Sequence, residues 1–309
     1  MVKMASFATL LRDRAKELTR HLAGAIKGDT RGVHQGRVAS RRLRESLPAA
    51  ERRGSARRAR KSFREITRAL GPVRELDVAL AHLDEGLRGS RVSRVAIERV
   101  RAHVLAERER RRERMLSRLE QVDLQEALTR VETVAGEAPQ EVSDYSALAL
   151  VRRVRARALT LGAAIEGAGT LYHPDRLHAV RIAGKKLRYA LEVVASTTPV
   201  DVGADLRLLK RVQERLGIMH DYQVLLEHVA AVADATRRGT PGAAGLKAMA
   251  AAYDRECRKL HADYLKIAPS LASAAGKLRK LDLNLGKTKL EASDGRVVPR
   301  ASRDRRRAR

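Results

Sequence analysis

Two stretches of the chain decide the fold: VHQGRVASRRLRESL at residues 33–47 and LHAVRIAGKKLRYAL at residues 177–191. They stand 144 positions apart. Equivalent positions of the two stretches carry a histidine, a first arginine, a basic pair, a leucine and a final arginine. A second match follows in the same order, because ALGPVRELDV at residues 69–78 resembles RLGIMHDYQV at residues 215–224. This order and spacing indicate an internal duplication of roughly 140 residues.

Apolar residues recur at helical spacing in both copies. Val33, Leu43 and Leu47 do so in the first copy, and Leu177 and Leu187 in the second. No segments that alternate Val, Ile or Thr with polar residues indicate strands. The sequence therefore predicts an all-α fold in which each half forms a helical bundle.

Capping and turn residues predict where the helices begin and end. Asp29-Thr30 is typical of a helix start, and His173-Pro174-Asp175 opens another helix. Gly71-Pro72 predicts a turn, and Thr240-Pro241-Gly242 predicts a break. The longest predicted helix runs from about Val92 to Val122.

The duplication also predicts the domain boundaries. The join lies near residues 136–143, where Pro139 stands among polar residues. We expect an N-terminal bundle over residues 5–140 and a C-terminal bundle over residues 141–285. Residues 286–309 have little apolar content and end in RDRRRAR, so they predict a basic, disordered tail.

The charge of the chain indicates an acidic partner. Of its 309 residues, 64 are Lys or Arg and 37 are Asp or Glu, which gives a formal charge of +27. A protein with this charge repels itself unless an anion neutralises it, so we expect a polyanionic ligand. The alternative is that arginine-rich codon usage explains the excess of arginine, and that these residues are spread over solvated faces.

Several classes of protein are excluded. The single cysteine, Cys257, cannot form an internal disulfide or a cysteine-based zinc site. None of the nine histidines stands in a metal-binding His-x-x-x-His pattern, so we expect no metal site. No apolar run approaches the length of a membrane span, and the N-terminal residues lack the apolar region of a signal peptide, because charges appear by Arg12. We therefore expect a cytoplasmic protein without membrane contact.

The first matching block carries a basic face opposite its apolar face in both copies. At 100° per residue, one side of each helix carries a row of cations, which we call the first and second basic stripes. The first basic stripe is His34, Arg37, Arg41 and Arg44, flanked by Arg42, and the second is His178, Arg181, Lys185 and Arg188. The next helix of each half carries a further cationic set: Arg57, Lys61, Arg64 and Arg68, then Arg207, Lys210 and Arg211.

These stripes suit a long anion without bases. Acidic partners are scarce on them, and rows of like charge cost stability, so an anionic ligand explains them better than a solvated face does. The distance from His34 to Arg44 is about 15 Å along a helix, which suits a chain of phosphates. The protein has no Trp, and Phe and Tyr are rare, which argues against the stacking of bases. Sequence-nonspecific nucleic-acid binding remains the alternative, because such a basic protein binds DNA or RNA at low salt.

The matching blocks resemble those of the CHAD domain, the conserved histidine α-helical domain. The resemblance covers about residues 5 to 285 and rests on His34 to Arg44, Leu70 to Val78, His178 to Arg188 and Leu216 to Val224. It implies two pseudo-symmetric helical bundles that enclose a basic cleft or channel. It also implies binding of inorganic polyphosphate and association with polyphosphate granules.

The resemblance further implies which residues bind the ligand. By motif position they are His34, Arg37, Arg41, Arg42, Arg44, Arg64, Arg74, His178, Arg181, Lys185, Lys186, Arg188, Lys210 and His220. Glu75 and His220 differ from the residue types that are usual at these positions of the motif. Protonated histidines would make binding depend on pH, whereas hydrogen-bonded residues at a helix start are the alternative role for His34 and His178.

An enzyme is not expected. The Glu-x-Glu-x-Lys motif of the triphosphate tunnel domains, to which some CHAD domains are fused, is absent from the sequence. Gly184-Lys185-Lys186 lacks the upstream Gly and the Ser or Thr of a Walker loop. We therefore expect non-catalytic binding without a cofactor, and the sequence does not indicate an oligomeric state.

Overall fold

The structure, a computed structural model, describes residues 7–50, 54–89, 93–137, 144–198 and 200–282. These residues form α-helices and one short 3-10 helix (Leu47–Ala50) and no strand, so the all-α prediction is confirmed. The helices are α1 (Phe7–Ile26), α2 (Thr30–Ser46), α3 (Gly54–Gly89), α4 (Arg94–Glu120), α5 (Leu124–Gly136), α6 (Asp144–Ala168), α7 (Pro174–Thr197), α8 (Gly203–Asp234) and α9 (Pro241–Arg279). The predicted tail at 286–309 lies outside the described residues.

Two predicted helix starts are confirmed, and the break predicted at Thr240-Pro241-Gly242 falls where α9 begins. The Asp29 carboxylate accepts hydrogen bonds from two backbone N–H groups in the first turn of α2, at 3.0 and 2.8 Å. Pro174 is the first residue of α7. The Thr240 hydroxyl accepts from the backbone N–H of Ala243 and caps α9. Because each of these features depends only on neighbouring residues, it could be predicted from the sequence.

The turn predicted at Gly71-Pro72 is wrong, since α3 continues through both residues. Pro72 removes one backbone hydrogen bond from the helix and usually breaks it. Here Leu70 and Val73 are fully buried on either side, and this packing holds the helix together. Gly71 lies beside Arg37, because a Cβ atom at Gly71 would stand 3.8 Å from the Arg37 Nε.

Two hydrophobic cores join the predicted halves. The larger core contains Leu43 and Phe63 of the first half together with Leu187 and Leu216 of the second. The smaller core packs the C-terminal part of α3 and α4 against α8 and α9. Residues on both sides of the predicted boundary therefore share each core, and the duplication and the boundary at residues 140–141 stay predictions.

A close approach of α1 and α2 sets the position of the first basic stripe. A Cβ atom on Gly32 would lie 2.5 Å from the backbone nitrogen of Ala25, so only glycine fits there. With α2 held in this way, Val33 and Leu43 are buried and the stripe is left on the side that contacts α7. The contacts of α2 with α7, and of α3 with α8, bring the repeated blocks together.

Within the described ranges, no helix is both long enough and apolar enough to cross a bilayer.

Candidate anion-binding site

The two basic stripes lie close together where α2 contacts α7. Burial, together with the charges of Arg181, Arg41 and Arg37, lowers the pKa of Lys185 to about 7. Burial and the charge of Arg41 lower the pKa of Arg37 to about 10, and Arg181 on the other helix contributes to the shift. Cations from both copies therefore share one site. We call it the central cluster, and its members are His34, Arg37, Arg41, Arg74, His178, Arg181, Lys185 and His220.

Two guanidinium groups of the central cluster have buried donors without an acceptor. The Nε atoms of Arg37 and Arg181 are buried, and no hydrogen-bond partner for either is found in the described part of the chain. A buried donor left unsatisfied costs about 1–3 kcal/mol, so native proteins rarely keep one. These two donors are therefore available to an acceptor such as water or a bound anion.

Carboxylates moderate the charge of the central cluster without neutralising it. Asp221 favours the charged forms of Arg181 and Lys185, and Glu75 does so for Arg37 and Arg181. Among the described residues, however, no carboxylate oxygen lies within 4.0 Å of the cationic nitrogens of Arg37, Arg181 or Lys185. The site keeps an excess of positive charge that can attract an anion.

An aromatic ring supports one wall of the site. Tyr189 is buried, and the guanidinium carbons of Arg41 and Arg188 lie 5.7 and 5.0 Å from its ring centre. Cation–π contacts at these distances orient a guanidinium group without taking up its hydrogen-bond donors. Tyr189 therefore holds the two arginines in place while their N–H groups stay available.

Burial favours the neutral form of the histidines in the central cluster. It lowers the pKa of His220 to about 4, with smaller contributions from Arg181 and His178. Burial also lowers the pKa of His34 and of His178 below the ordinary value of 6.5. The Nδ1 atoms of His178 and His220 are 3.2 Å apart, so one ring donates a hydrogen bond to the other. The arginines and Lys185, rather than the histidines, therefore supply the positive charge that the ligand-free site favours.

The side chains of two predicted site residues, Arg42 and Arg188, lie near the carboxylate of Glu192. The Arg42 Nε lies 4.0 Å and the Arg188 Nε 3.6 Å from carboxylate oxygens of Glu192. Arg42 also lies 3.7 Å from Glu17 on α1. These ion pairs link α1, α2 and α7 at the edge of the central cluster.

The remaining predicted residues are Arg44, Arg64, Lys186 and Lys210. Arg44 makes an ion pair with its neighbour Glu45. Arg64 and Lys210 are exposed on α3 and α8, and Lys186 is half-buried on α7. Within the described ranges, no hydrogen bond or ion pair joins these three residues to the central cluster. Their role in binding stays a prediction.

Sequence reasoning missed several neighbours of the basic stripes. Tyr189 and Asp221 lie inside the repeated blocks, but nothing in their spacing shows that they face the cations. Arg153 and Arg157 of α6 lie near Glu45, although α6 contains neither block. The one available signal was Glu45 itself, because a carboxylate placed between buried positions of a helix needs a cation nearby.

The donor set suits anions rather than metals. The described part of the chain has no group of three or more His, Cys, Asp or Glu side chains that could hold a metal ion. Arginine presents a planar fork of donors that matches the oxygens of a phosphate group. The central cluster can therefore bind oxyanions through several guanidinium groups at once.

Comparison with known proteins shows the family of the chain and its fold. Residues 9–230 match the family model of the CHAD domain. A solved structure of the CHAD domain from the plant Ricinus communis is 19% identical, with a TM-score of 0.58, and covers 91% of this chain and 94% of that chain. The structure of PptA from Streptomyces chartreusis is 20% identical, with a TM-score of 0.56, and covers 88% of this chain and 97% of that chain. A search of curated proteins finds no match. Since the family model spans both repeated blocks and most of the chain, the protein belongs to the CHAD domain family.

Proposed function

We propose that this protein binds inorganic polyphosphate in the central cluster and does not cleave it. The buried, unsatisfied Nε donors of Arg37 and Arg181 are the observation that carries the proposal. They come from different helices, and Lys185 lies close to both. One ligand with many oxygens could satisfy all three residues, and membership of the CHAD family supports this ligand.

The partial burial of the cations favours a slender ligand. The side chains of Arg37, Arg41, Arg181 and Lys185 are only partly exposed. A single unbranched chain of phosphates can lie along them, whereas the phosphates of a duplex stand on a wide, rigid surface. Bases would also lack stacking partners, because aromatic residues make up only 3% of the chain.

A binding titration with a double variant tests the proposal. Arg37→Gln with Arg181→Gln removes the two guanidinium groups and keeps side chains of similar length. Each lost charge-assisted hydrogen bond costs about 1.5–3 kcal/mol, so we expect the affinity for polyphosphate to fall more than about a hundredfold. The titration is made at about 150–200 mM salt, where weak polyanion contacts fade.

A matched control separates site binding from general charge. Arg118→Gln with Arg255→Gln makes the same change of charge at two exposed positions. We expect this control to stay within about threefold of the wild-type affinity. Equal losses in both double variants would show that net charge, and not the central cluster, binds the ligand.

Competition with DNA tests the alternative of nonspecific nucleic-acid binding. We expect polyphosphate to displace DNA at moderate salt and DNA to leave bound polyphosphate in place. The opposite order would favour nucleic acid as the ligand.

The absence of cleavage and the association with granules have their own tests. After long incubation with the protein, we expect the length of the polyphosphate to be unchanged on a gel. In cells, a fluorescently tagged protein is expected at polyphosphate granules, and the double variant of Arg37 and Arg181 is expected to be diffuse.

A further inference from the structure

A second group of arginines surrounds one buried carboxylate near the end of α2. The side chain of Glu45 is 4% exposed, and its oxygens lie 2.5 Å from the Arg153 Nη2 and 3.3 Å from the Arg44 Nη2. The Arg157 Nη2 lies 4.0 Å from Glu45. We call Arg44, Arg153 and Arg157 the α6 arginine cluster.

The α6 arginine cluster has more positive charge than Glu45 needs. One well-placed arginine satisfies a buried carboxylate, and the contact with Arg153 does so here. Arg44 and Arg157 add positive charge beyond this pair, and Arg153 and Arg44 each disfavour the charged form of Arg157. The Arg153 Nε is buried and finds no acceptor in the described part of the chain. One carboxylate therefore faces three guanidinium groups.

The α6 arginine cluster continues the first basic stripe. Arg44 follows Arg41 on the same side of α2, at a rise of about 4.5 Å. The charge of Arg41 acts on Arg44, and Arg44 also contacts Glu45, so this residue connects the central cluster with the α6 arginine cluster. Arg153 and Arg157 stand one turn apart on α6 and face the same carboxylate. The side chains of Arg44 and Arg157 keep 21% and 24% of their surface exposed, so an anion can reach them.

We propose that the α6 arginine cluster is a second anion-binding subsite, which takes further phosphates of a polyphosphate chain that leaves the central cluster past Arg44. This inference rests on the proposed function. Arg44 and Arg157 contact the phosphate oxygens, while Arg153 stays on Glu45 and positions the group. Affinity then depends on the length of the ligand, because only a long chain of phosphates occupies both the central cluster and the α6 arginine cluster.

The test compares two ligands, inorganic tripolyphosphate and a long polyphosphate. In the wild type we expect the long chain to bind much more tightly. Arg157→Gln is expected to weaken binding of the long chain about tenfold, the effect of one lost arginine–phosphate contact, and to change binding of tripolyphosphate less than about twofold. Arg157→Lys keeps the charge but loses the planar fork, so an intermediate loss is expected.

Arg152→Gln is the matched control, because Arg152 is the exposed neighbour of Arg153 on the same helix. We expect it to leave both affinities unchanged, and thermal unfolding of each ligand-free variant checks the fold. Equal effects of Arg157→Gln on the two ligands, or no effect on either, would overturn the second subsite and leave the central cluster intact. Failure of the wild type to bind either ligand would instead overturn the proposed function.

Discussion

Lys185 makes the proposed binding depend on pH, because it belongs to the second basic stripe and feels the charges of Arg37 and Arg41 in the first. Burial, together with Arg181 and Arg41, lowers its pKa to about 7 in the ligand-free protein. A bound phosphate stabilises the ammonium form, so binding raises this pKa and takes up a proton. Since the lowered pKa belongs to the free state, affinity is greatest below pH 7 and falls as the pH rises through that value.

The size of this effect follows from the fraction of Lys185 that is charged. With a pKa of about 7, about nine tenths of the side chain is protonated at pH 6 and about one tenth at pH 8. If the bound pKa lies above 8, affinity falls about tenfold over this range, or about 1.4 kcal/mol. Arg37 stays charged throughout, because its pKa is about 10. The histidines contribute on the acidic side only, since burial lowers their pKa.

Isothermal titration with a long polyphosphate measures both the affinity and the protons taken up. Titration in buffers of different ionisation enthalpy is expected to give an uptake of about half a proton at pH 7. Lys185→Arg keeps its charge over the whole range, so we expect tight binding without the decline above pH 7. Lys185→Gln is expected to bind more weakly and to lose the same decline. A wild-type slope that persists in Lys185→Arg would refute the assignment to Lys185.

Three further predictions concern stability, each measured by denaturant titration. Lys185→Met removes a partly buried charge, so it is expected to raise the free energy of unfolding by about 1–2 kcal/mol at pH 7 while it weakens binding; a less stable variant would contradict this. Gly32→Ala forces a Cβ into the α1 backbone and is expected to lower the free energy of unfolding by more than about 2 kcal/mol. Gly162→Ala meets no atom within 4 Å and is expected to raise it by about 0.5–1 kcal/mol. Similar effects of the two changes would contradict the close approach of α1 and α2. Arg108→Ala leaves the Asp77 carboxylate buried without its partner at 2.6 Å and is expected to cost about 3–5 kcal/mol without changing polyphosphate affinity; a large loss of affinity would place Arg108 in the site.

Part of the candidate site could be predicted from the sequence because the information is local. The helical wheel placed Arg37 and Arg41 on one face of α2, and Arg181 and Lys185 on one face of α7. The structure keeps these faces and brings them to the same site. Arg44 lay on the same predicted face, but the wheel could not show its ion pair with Glu45, because the arginines that share this carboxylate come from α6.

The sequence by itself determined the helical class, the starts of α2 and α7, and the cationic faces of the two repeated blocks. Each of these follows from residues within a few turns of one another, where spacing fixes geometry. Only the tertiary structure decided that α3 continues through Pro72, that α2 lies against α7, and that Lys185 loses most of its affinity for a proton. Those features depend on burial and on charges from distant parts of the chain. The effects of burial and charge change steeply with the distance between groups on different helices, and no local sequence pattern encodes that distance.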